Sequence, residues 1–352
     1  MIKAKPEELK QLVSAIFAST GSDPEEADSL GDHLVEANLA GHDSHGVIRT
    51  PIYVEWQRDG KVVPNRKIEV YLETETMAFA DGGQGFGQAL GKQVVELGIE
   101  KCRQHGIAMI GVRNCAHLGR IGHWAEMSVK AGLISMHFVT TSGLGMHVVP
   151  FGGIDRRLSV NPVVVGIPVE GGSPILFDIA AAASAEGKLK VARNKGLPVP
   201  DNTIIDAKGQ ATNDPNDFYG PPSGAILPFG GHKGYGLCLV AELLAGAVTG
   251  NGCSREGVKR LEQGMLSIFL NPTAAQSADS FAQEVRRYVD FVKTSRPTDP
   301  EGEVLVPGEV EARMREKRKL EGIDLDDNTW GQLVGTAVAC GISAGLIEAV
   351  TE

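Results

Sequence analysis

The sequence lacks the glycine-rich signatures with which the commonest folds bind nucleotides. None of its 44 glycines falls into the G-x-G-x-x-G pattern of a Rossmann dinucleotide site or the G-x-x-x-x-G-K-[ST] pattern of a P-loop. The nearest segment, residues 82–87, has the wrong spacing and instead predicts a turn that leads into a helix. An ordinary Rossmann fingerprint and a P-loop are therefore both excluded.

Long apolar runs, paired cysteines and an excess of basic residues are missing too. No apolar run reaches about 18 residues and the amino terminus has no apolar signal core, so we expect no membrane span and a cytoplasmic location. The five cysteines are dispersed and lack Cys-x-x-Cys spacing, which predicts free thiols rather than disulfides or a zinc site. A net charge of −10 argues against a nucleic-acid partner.

The residue pattern is typical of an α/β protein with about two domains. We predict short strands at 68–72, 107–113, 133–140, 159–167 and 175–178, with helices at 88–104 and 121–131 between them. Further helices are predicted at 236–246 (buried), 280–293 (amphipathic) and 313–321, and the mixed charges at 313–319 are typical of a solvated face. We expect a helical region at 1–67, an α/β core at 68–294, and a helical region at 295–352 that packs back on the first.

Residues 41–49, Gly-His-Asp-Ser-His-Gly-Val-Ile-Arg, gather acid-base groups, a hydroxyl and a cation just after a predicted helix. Asp23 is expected to cap that helix, with Pro24 at its first position and Glu26 at its third, as in an acidic capping box. The apolar helical spacing that follows is broken at Gly41, where the helix should end. This motif therefore starts at a helix stop.

A second helix is predicted from Ser44 to Gly60, kinked or divided by Pro51. His45 and Arg49 are four residues apart on it and would share a face. Arginine grips a carboxylate with two parallel hydrogen bonds, and histidine, with an ordinary pKa near ~6.5, passes a proton to an adjacent carbonyl at neutral pH. The pair predicts a site for an oxo acid. The alternative is a serine cap followed by a surface histidine and arginine.

Residues 114–124 lie between a predicted strand and a predicted helix. Free amides at the helix amino terminus, a glycine and Arg120 together suit a pyrophosphate, and His117 is a second acid-base candidate. The alternative is a polar loop with a structural histidine. No acidic or thiol partner is spaced to complete a metal site with the histidines of either motif, so we predict none.

Residues 228–236, Pro-Phe-Gly-Gly-His-Lys-Gly-Tyr-Gly, place His232 and Lys233 among glycines before an apolar helix. Glycines allow close approach of a ligand, so a phosphate or ribose contact is one interpretation. The other is a flexible turn with a solvated lysine.

Six motifs follow one another along the chain. They are His-Asp-Ser-His-Gly at 42–46, His-x-Gly-Arg-x-Gly at 117–122, Asn-Pro at 161–162 with Gly-Ile-Pro at 166–168, Asp-Ile-Ala at 178–180 before Gly-Lys at 187–188, Gly-His-Lys-Gly-Tyr-Gly at 231–236, and Pro-Gly-Glu at 307–309. In this order they resemble the type 2 malate/L-lactate dehydrogenases over essentially the whole chain. Residues 39–46 and 119–126 are most similar to one branch of that family. The resemblance implies a nicotinamide-dependent oxidoreductase with a non-Rossmann α/β fold, a mixed sheet core and a helical domain built from the chain ends.

The resemblance also implies residue roles. The cofactor contacts that it carries over are His45, Gly119, Arg120, Ile121, Leu176, Phe177, Asp178, Ile179, Ala180, His232, Lys233, Asn271, Gly308 and Glu309. Family members differ on the proton-transfer group, which matches His45 in some and His117 in others, and we favour His45. Ser44 would orient the histidine or the substrate, whereas the role of Arg49 rests on its charge and spacing.

The resulting hypothesis is reversible reduction of a small 2-oxo acid to a 2-hydroxy acid with NAD or NADP. Asp178 beside an adenosine ribose would slightly favour NAD. Many relatives have Asp-x-Ala-Thr-Ser where this chain has Asp-Ile-Ala-Ala-Ala at 178–182, so one hydroxyl that would contact the cofactor is gone. The alternatives are reduction of a cyclic imino acid, oxidation of a ureido-hydroxy acid and, in another class, a non-catalytic nucleotide-binding protein. The resemblance finally implies a homodimer with cofactor sites at or near the subunit boundary.

Overall fold

The computed structural model describes residues 2–143 and 145–351. Its strands are β1 (Ile2–Ala4), β2 (Glu69–Glu73), β3 (Met77–Asp81), β4 (Ile107–Cys115), β5 (Ile134–Gly143), β6 (Pro162–Ile167), β7 (Ile175–Ala180), β8 (Ile204–Ile205), β9 (Ala211–Thr212), β10 (Ala225–Ile226), β11 (Leu261–Leu270) and β12 (Ile323–Leu325). Its helices are α1 (Pro6–Ser19), α2 (Pro24–Leu39), α3 (Thr50–Arg58), α4 (Gly87–His105), α5 (Gly122–Lys130), α6 (Glu186–Lys195), α7 (Pro215–Tyr219), α8 (His232–Glu242), α9 (Ala278–Lys293), α10 (Glu309–Glu321), α11 (Asp327–Ala339) and α12 (Ala344–Glu348). A π-helical turn, Leu243–Val248, continues α8.

A seven-stranded mixed sheet lies at the centre, in the order β2-β3-β4-β11-β5-β6-β7. β3 and β4 run parallel, and the other neighbouring pairs run antiparallel. Helix α4 approaches β11 so closely at Gly98 that a side chain there would clash with Phe269, and the turn after α8 approaches Gly264 in the same way. Because these two β11 residues are an odd number of positions apart, the helices cover opposite faces of the sheet. The predicted mixed α/β class is confirmed.

The five predicted sheet strands are present, but the sequence interpretation missed β3 and β11. The omission of β11 matters because this strand is the middle of the sheet. Its apolar pattern is broken by Glu262, Gln263 and Ser267, which are all buried. The polar atoms have partners inside the protein: Gln263 Oε1 accepts the Leu118 amide at 2.6 Å, and Ser267 Oγ lies 2.8 Å from a ring nitrogen of His137. A strand can therefore be buried although its sequence is not continuously apolar.

The two ends of the chain share one apolar core. Side chains of α1, α2 and α3 pack with those of α11 and α12, including Leu9, Ile16, Leu30, Tyr53, Leu333 and Ile347. β1 pairs with β12, and the Lys5 amide donates to the Val350 carbonyl at 2.9 Å. The carboxyl-terminal residues are thus held against the helices that carry the first candidate motif.

A smaller unit follows β7. It consists of the short sheet β10-β8-β9, helices α6 and α7, and the segment at 147–158, around a core that includes Val148, Leu189, Ile204, Phe218 and Ile226. Val148 forms isolated β-bridges with both Leu158 and Ile226, so this segment pairs with β10. Apart from the segment at 147–158, the unit lies between β7 and α8 in sequence, and it therefore borders both candidate cofactor segments.

The helix predicted at 236–246 is present as α8 and its π-helical continuation, but it is not buried all round. Leu239, Val240 and Leu243 on its outward face are between 37% and 49% exposed. The prediction of a buried helix is therefore wrong for that face within a single chain. Among the residues that the structure describes, no helix combines the length and apolar character needed to cross a bilayer.

Candidate active site

The helix that leads to the site begins as predicted. The Asp23 carboxylate accepts the Glu26 amide at 2.8 Å, and Pro24 is the first residue of α2. Glu26 does not return a bond to the cap, because its carboxylate accepts the Asn65 amide at 2.9 Å while the Asp23 amide donates to Asn65 Oδ1 at 2.7 Å. The cap is confirmed, and the reciprocal half of the capping box is wrong.

The loop after α2 forms two 3₁₀ turns, Asp43–His45 and Val47–Arg49, so the predicted helix from Ser44 is wrong up to Thr50. The cause is Asn38 on α2. Its Nδ2 donates to Asp43 at 2.6 Å, and its Oδ1 accepts the Val47 amide at 2.8 Å. Gly46 is extended between the turns, and any side chain there would clash with Asn38. The division falls just before Pro51, where the sequence allowed a break.

The turns still bring the predicted catalytic groups together. Ser44 Oγ lies 3.0 Å from Nδ1 of His45, and Arg49 Nε donates to the Ser44 carbonyl at 2.6 Å. The rings of His45 and His117 stack with their centroids 5.7 Å apart and their planes at 23°. A 3₁₀ turn and the bond from Arg49 to the Ser44 carbonyl thus place His45 and Arg49 in one loop. The helical spacing that the sequence suggested is not present.

His117 is held by a tyrosine that sequence reasoning did not single out. The Tyr53 hydroxyl lies 2.5 Å from Nδ1 of His117, and Gln88 Nε2 donates to the same hydroxyl at 3.3 Å. Burial raises the pKa of Tyr53 to about 12, so the hydroxyl stays protonated and is the donor to Nδ1. A neutral His117 then carries its proton on Nε2, the nitrogen that is left for a ligand.

Both histidines are neutral near pH 7. Burial, together with the positive charge of Arg49, lowers the pKa of His45 to about 3. The same two causes hold the pKa of His117 well below its ordinary value, and His45 adds to the effect. A neutral His45 beside a fixed cation can accept a proton from a hydroxyl group, and the cation can bind a carboxylate. His117, with its proton on Nε2, can donate a hydrogen bond to the same ligand.

The loop before α5 has few free amides, so that part of the pyrophosphate prediction is wrong. The Leu118 amide donates to Gln263, the Arg120 amide donates to His33 Nε2 at 2.9 Å, and the Gly122 amide donates to Asp178 Oδ2 at 2.9 Å. Gly119 has a φ of +74°, and a side chain there would clash with His33. Ile121 precedes the first residue of α5. The loop is therefore shaped by protein contacts.

The Arg120 guanidinium remains partly unsatisfied. It is 2% exposed, and its Nη2 donates to Glu126 at 2.7 Å. Its Nε and Nη1 are buried without a hydrogen-bond partner among residues 2–143 and 145–351. Nη1 faces the space beside Gly122 and Asp178, since a side chain on Gly122 would meet both groups. Buried donors of this kind point to an acceptor that comes from outside the chain.

Helix α10 reaches into the site with Arg315 and Arg318, so the solvated face predicted at 313–319 is confirmed only for Arg313, Glu316, Lys317 and Lys319. Arg318 holds Asp43 with two bonds of 2.6 and 3.0 Å. Arg315 donates to Glu36 at 3.1 Å and to Glu126 at 3.0 Å. The side chains of the two arginines are only 13% and 19% exposed. They tie the loop of the first motif and the start of α5 to the carboxyl-terminal region.

Strand β7 carries five of the predicted cofactor residues, Leu176, Phe177, Asp178, Ile179 and Ala180, and the structure brings the Pro-Gly-Glu motif to it. The Leu176 amide donates to the Pro307 carbonyl at 2.9 Å. Gly308 has a φ of +101°, and a Cβ there would lie 2.7 Å from the Pro174 carbonyl. Glu309 pairs with Lys293 and accepts the Val306 amide at 2.9 Å. These two predicted segments therefore adjoin each other.

The third motif adjoins the end of β7. The Phe229 amide donates to the Ala181 carbonyl at 3.4 Å, and Ala182 bridges Pro228. His232 and Lys233 are the first two residues of α8, and both are exposed. The motif thus presents a cationic and an imidazole group beside the segment that follows β7.

Asn271 is the predicted contact that the structure does not bring to the others. It follows β11 directly, at the end of the sheet where β4 and β5 begin, and its side chain accepts the Thr273 amide at 3.0 Å. Three strand spacings, about 14 Å, separate β11 from β7. His117, by contrast, lies beyond the opposite end of β4.

Other residues of the site left only weak signals in the sequence. Tyr53 lies four residues after Arg49, which is the spacing that lets two side chains share a helical face. Gln88 and His33 had no signal, because their partners are distant in sequence. The described parts of the chain contain no group of three His, Cys, Asp or Glu side chains arranged to hold a metal ion.

Comparison with known proteins places the chain among dehydrogenases. The malate/L-lactate dehydrogenase family model matches residues 4–334. Hydroxycarboxylate dehydrogenase B from Escherichia coli, from the branch that the first two motifs resemble, is 37% identical over 98% of this chain and 96% of that protein. An L-lactate dehydrogenase from Cupriavidus necator is 35% identical over 92% of this chain and 94% of its own. The solved structure of sulfolactate dehydrogenase from Methanocaldococcus jannaschii is similar with a TM-score of 0.90, at 32% identity, over 100% of both chains.

Proposed function

This chain belongs to the malate/L-lactate dehydrogenase family, and from that premise we propose that it interconverts a small 2-oxo acid and its 2-hydroxy acid with a nicotinamide cofactor. The observation that carries the proposal is the stacked pair His45 and His117 beside Arg49. A binding protein would need neither two acid-base groups nor a cation close enough to lower their pKa values.

The chemistry follows from the charges. Arg49 binds the carboxylate of the substrate, and His45 exchanges a proton with the oxygen on the neighbouring carbon. Because Arg49 lowers the pKa of His45, a substrate carboxylate that neutralises Arg49 raises the basicity of His45 at the moment of binding. His45 is the proposed proton donor in reduction, with Ser44 orienting its ring and His117 as its rival.

We propose that the cofactor lies along β7 and the segments that adjoin it. A bound nicotinamide dinucleotide would supply or accept the hydride. The residues proposed to hold it are His45, Gly119, Arg120, Ile121, Leu176 to Ala180, His232, Lys233, Gly308 and Glu309. The unpartnered Nε and Nη1 of Arg120 support this placement, since a guanidinium suits a phosphate oxygen. The fold that binds the cofactor is proposed to differ from a Rossmann domain, in keeping with the single parallel strand pair of the described sheet.

A slight preference for NAD over NADP is part of the proposal. Asp178 offers a carboxylate on β7, and a carboxylate near the adenosine ribose repels the additional phosphate of NADP. Burial raises the pKa of Asp178, whereas Arg120 and His42 lower it. The Asp178 Oδ2 atom already accepts the Gly122 amide, which leaves Oδ1 for a ribose hydroxyl.

The test is a substrate panel followed at the nicotinamide absorbance with NADH and with NADPH. Turnover of 2-oxo acids with carboxylates next to the carbonyl is the expected result. Faster turnover of a cyclic imino acid, or of a ureido-hydroxy acid in the oxidative direction, would replace the substrate class within the family. Cofactor binding without turnover of any member of the panel would favour the non-catalytic nucleotide-binding protein.

We propose further that the chain is a homodimer with its cofactor site near the subunit boundary. Among the exposed apolar surfaces of the described chain are the outward face of α8 at Leu239, Val240 and Leu243, and the side of α9 where Tyr288 and Phe291 are 59% and 63% exposed. Because α8 begins with the proposed cofactor residues His232 and Lys233, a second copy on this face would lie beside the cofactor. Two-fold dimers are the commonest soluble oligomers.

Sedimentation across a dilution series, with and without cofactor, tests the dimer. A dimer whose dissociation constant falls on cofactor addition is expected, because a ligand that contacts both copies favours the associated state. Leu243→Asp is expected to weaken the dimer. Val338→Asp, at a position 64% exposed on α11, is the matched control. A fully active monomer at assay concentrations would contradict the shared site.

A further inference from the structure

A second polar pocket opens beside the candidate site. It has a volume of about 310 Å³ and is lined by His147, Arg156, Glu186, Phe218, Tyr219 and Ser223. None of these residues belongs to the catalytic or cofactor sets described above. The pocket is built by the small unit after β7, between the start of α6, helix α7 and the segment at 147–158.

The pocket adjoins the catalytic loop through α6. A Cβ atom placed on Gly187 would lie 3.8 Å from Cβ of Ser44, so the first turn of α6 rests against the residue before His45. Glu186 is the neighbour of Gly187 and the first residue of that helix. The pocket residue Glu186 is therefore one residue away from a contact with the loop that carries His45 and Arg49.

The walls of the pocket are held rigidly. Arg156 donates from Nε to the Gly224 carbonyl and from Nη2 to the Phe218 carbonyl, both at 2.7 Å, and its guanidinium lies 4.3 Å over the Phe218 ring. Ser223 donates to the Tyr219 carbonyl at 2.9 Å. The pocket is thus formed before any ligand enters, which keeps the entropic cost of binding low.

Glu186 is the group with unused hydrogen-bonding capacity. The Tyr219 hydroxyl donates to Glu186 Oε1 at 2.8 Å, and burial and the negative charge of Glu186 together raise the pKa of Tyr219. A carboxylate accepts about four hydrogen bonds, so most of its acceptor sites remain open. His147 adds Nδ1, which is buried without a partner among the described residues. Arg156, in contrast, has already committed two of its three nitrogens to carbonyl oxygens.

We propose that this pocket receives the tail of the 2-oxo acid, beyond its carbonyl, and selects a tail that carries a hydrogen-bond donor such as a hydroxyl group. The inference rests on the proposed function, because it names the substrate class of that same site. Glu186 is its specificity-determining residue, held in place by Tyr219. Glu186 repels a carboxylate or sulfonate tail and so offsets the attraction of Arg156 for it, whereas a methyl-ended tail leaves the Glu186 carboxylate without a new partner.

The experiment compares pairs of 2-oxo acids that differ only at the end of the tail, a hydroxyl against a methyl group, over several tail lengths. The readout is the ratio of kcat/KM within each pair. The parent chain is expected to prefer the hydroxyl-ended member at the length that reaches Glu186. Glu186→Gln is expected to lower that ratio by about tenfold, as for the loss of a charged hydrogen-bond acceptor, and to improve carboxylate-ended tails relative to methyl-ended ones.

Tyr219→Phe keeps the aromatic wall but frees Glu186, and we expect it to lower the same ratio by a smaller factor. Glu256→Gln makes the same charge change at an exposed turn and is expected to leave the ratio as in the parent. Thermal melting of each variant shows that it is folded. If Glu186→Gln turns over 2-oxo acids with the same kcat/KM ratio as the parent, the assignment of this pocket to the substrate tail is wrong and the proposed function stands. Absence of turnover with any 2-oxo acid overturns the proposed function itself.

Discussion

Replacing Tyr53 by phenylalanine separates the positioning of His117 from its chemistry. Tyr53 is 2% exposed, and its ring stacks on Trp56 with centroids 5.6 Å apart, so Tyr53→Phe keeps the packing and removes only the hydroxyl. That hydroxyl donates to Nδ1 of His117 at 2.5 Å and accepts from Gln88 Nε2 at 3.3 Å. Two buried polar groups lose a partner, and we expect the free energy of unfolding to fall by about 2 kcal/mol.

The catalytic consequence concerns the tautomer. Without the hydroxyl, Nδ1 of His117 is no longer held as an acceptor, and the proton is no longer confined to Nε2. We expect kcat for 2-oxo acid reduction to fall by roughly tenfold, the low end of the range for disturbing an acid-base group.

Urea unfolding and steady-state kinetics measure the two effects on one preparation. Tyr71→Phe is the matched control, because the Tyr71 hydroxyl donates to the Thr249 carbonyl at 3.1 Å from a residue that is 50% exposed. We expect its stability to change by less than about 1 kcal/mol and its kcat to stay at the parent value. If Tyr53→Phe behaved like Tyr71→Phe in both assays, the assigned hydrogen bond to His117 would be wrong.

Three further predictions concern the same loop and its helix. His45→Ala should lower turnover by ~10²–10⁴-fold while leaving the fold intact, and a severe loss in His117→Ala without one in His45→Ala would exchange their roles. Arg49→Met should raise KM for a carboxylate substrate more than for its amide. Because Arg49 lowers the pKa of His45, the Arg49→Met substitution should raise that pKa. The acid limb of the kcat/KM profile for 2-hydroxy acid oxidation should then move to higher pH, and an unmoved limb would refute the coupling. Asp23→Ala should cost about 1 kcal/mol of unfolding free energy in urea titrations, against little for Ser29→Ala on the same helix.

Elements with a local signal were predictable from the sequence. The start of α2 needed only the carboxylate of Asp23 and the fixed φ of Pro24, and both act within one turn. Strands β4, β5 and β6 were predicted correctly because glycine, proline or asparagine bounds their apolar residues. Such features depend on residues that are close together in the sequence, so a local sequence pattern is enough to predict them.

Features that depend on distant partners were not predictable. The turn that carries His45 exists because Asn38 supplies both a donor and an acceptor to the loop, and neither bond has a mark in the local pattern. The β11 strand is polar in places because Gln263 and Ser267 find partners on other strands and loops. The failure of the predicted helix and the failure to predict β11 have one cause, which is the satisfaction of buried polar atoms across the fold.

The carboxyl-terminal helix α10 is part of the site, and charge explains why. Asp43 lies on the loop that presents His45, and Glu126 already accepts a bond from Nη2 of Arg120, so each proposed binding group has an acidic neighbour. Arg318 holds Asp43 with two bonds, and Arg315 holds Glu126 together with Glu36. With those carboxylates paired, Arg49 and the free nitrogens of Arg120 keep their positive potential for an anionic ligand. Packing of the chain ends against each other therefore sets the electrostatics of the site as well as the stability of the helical core.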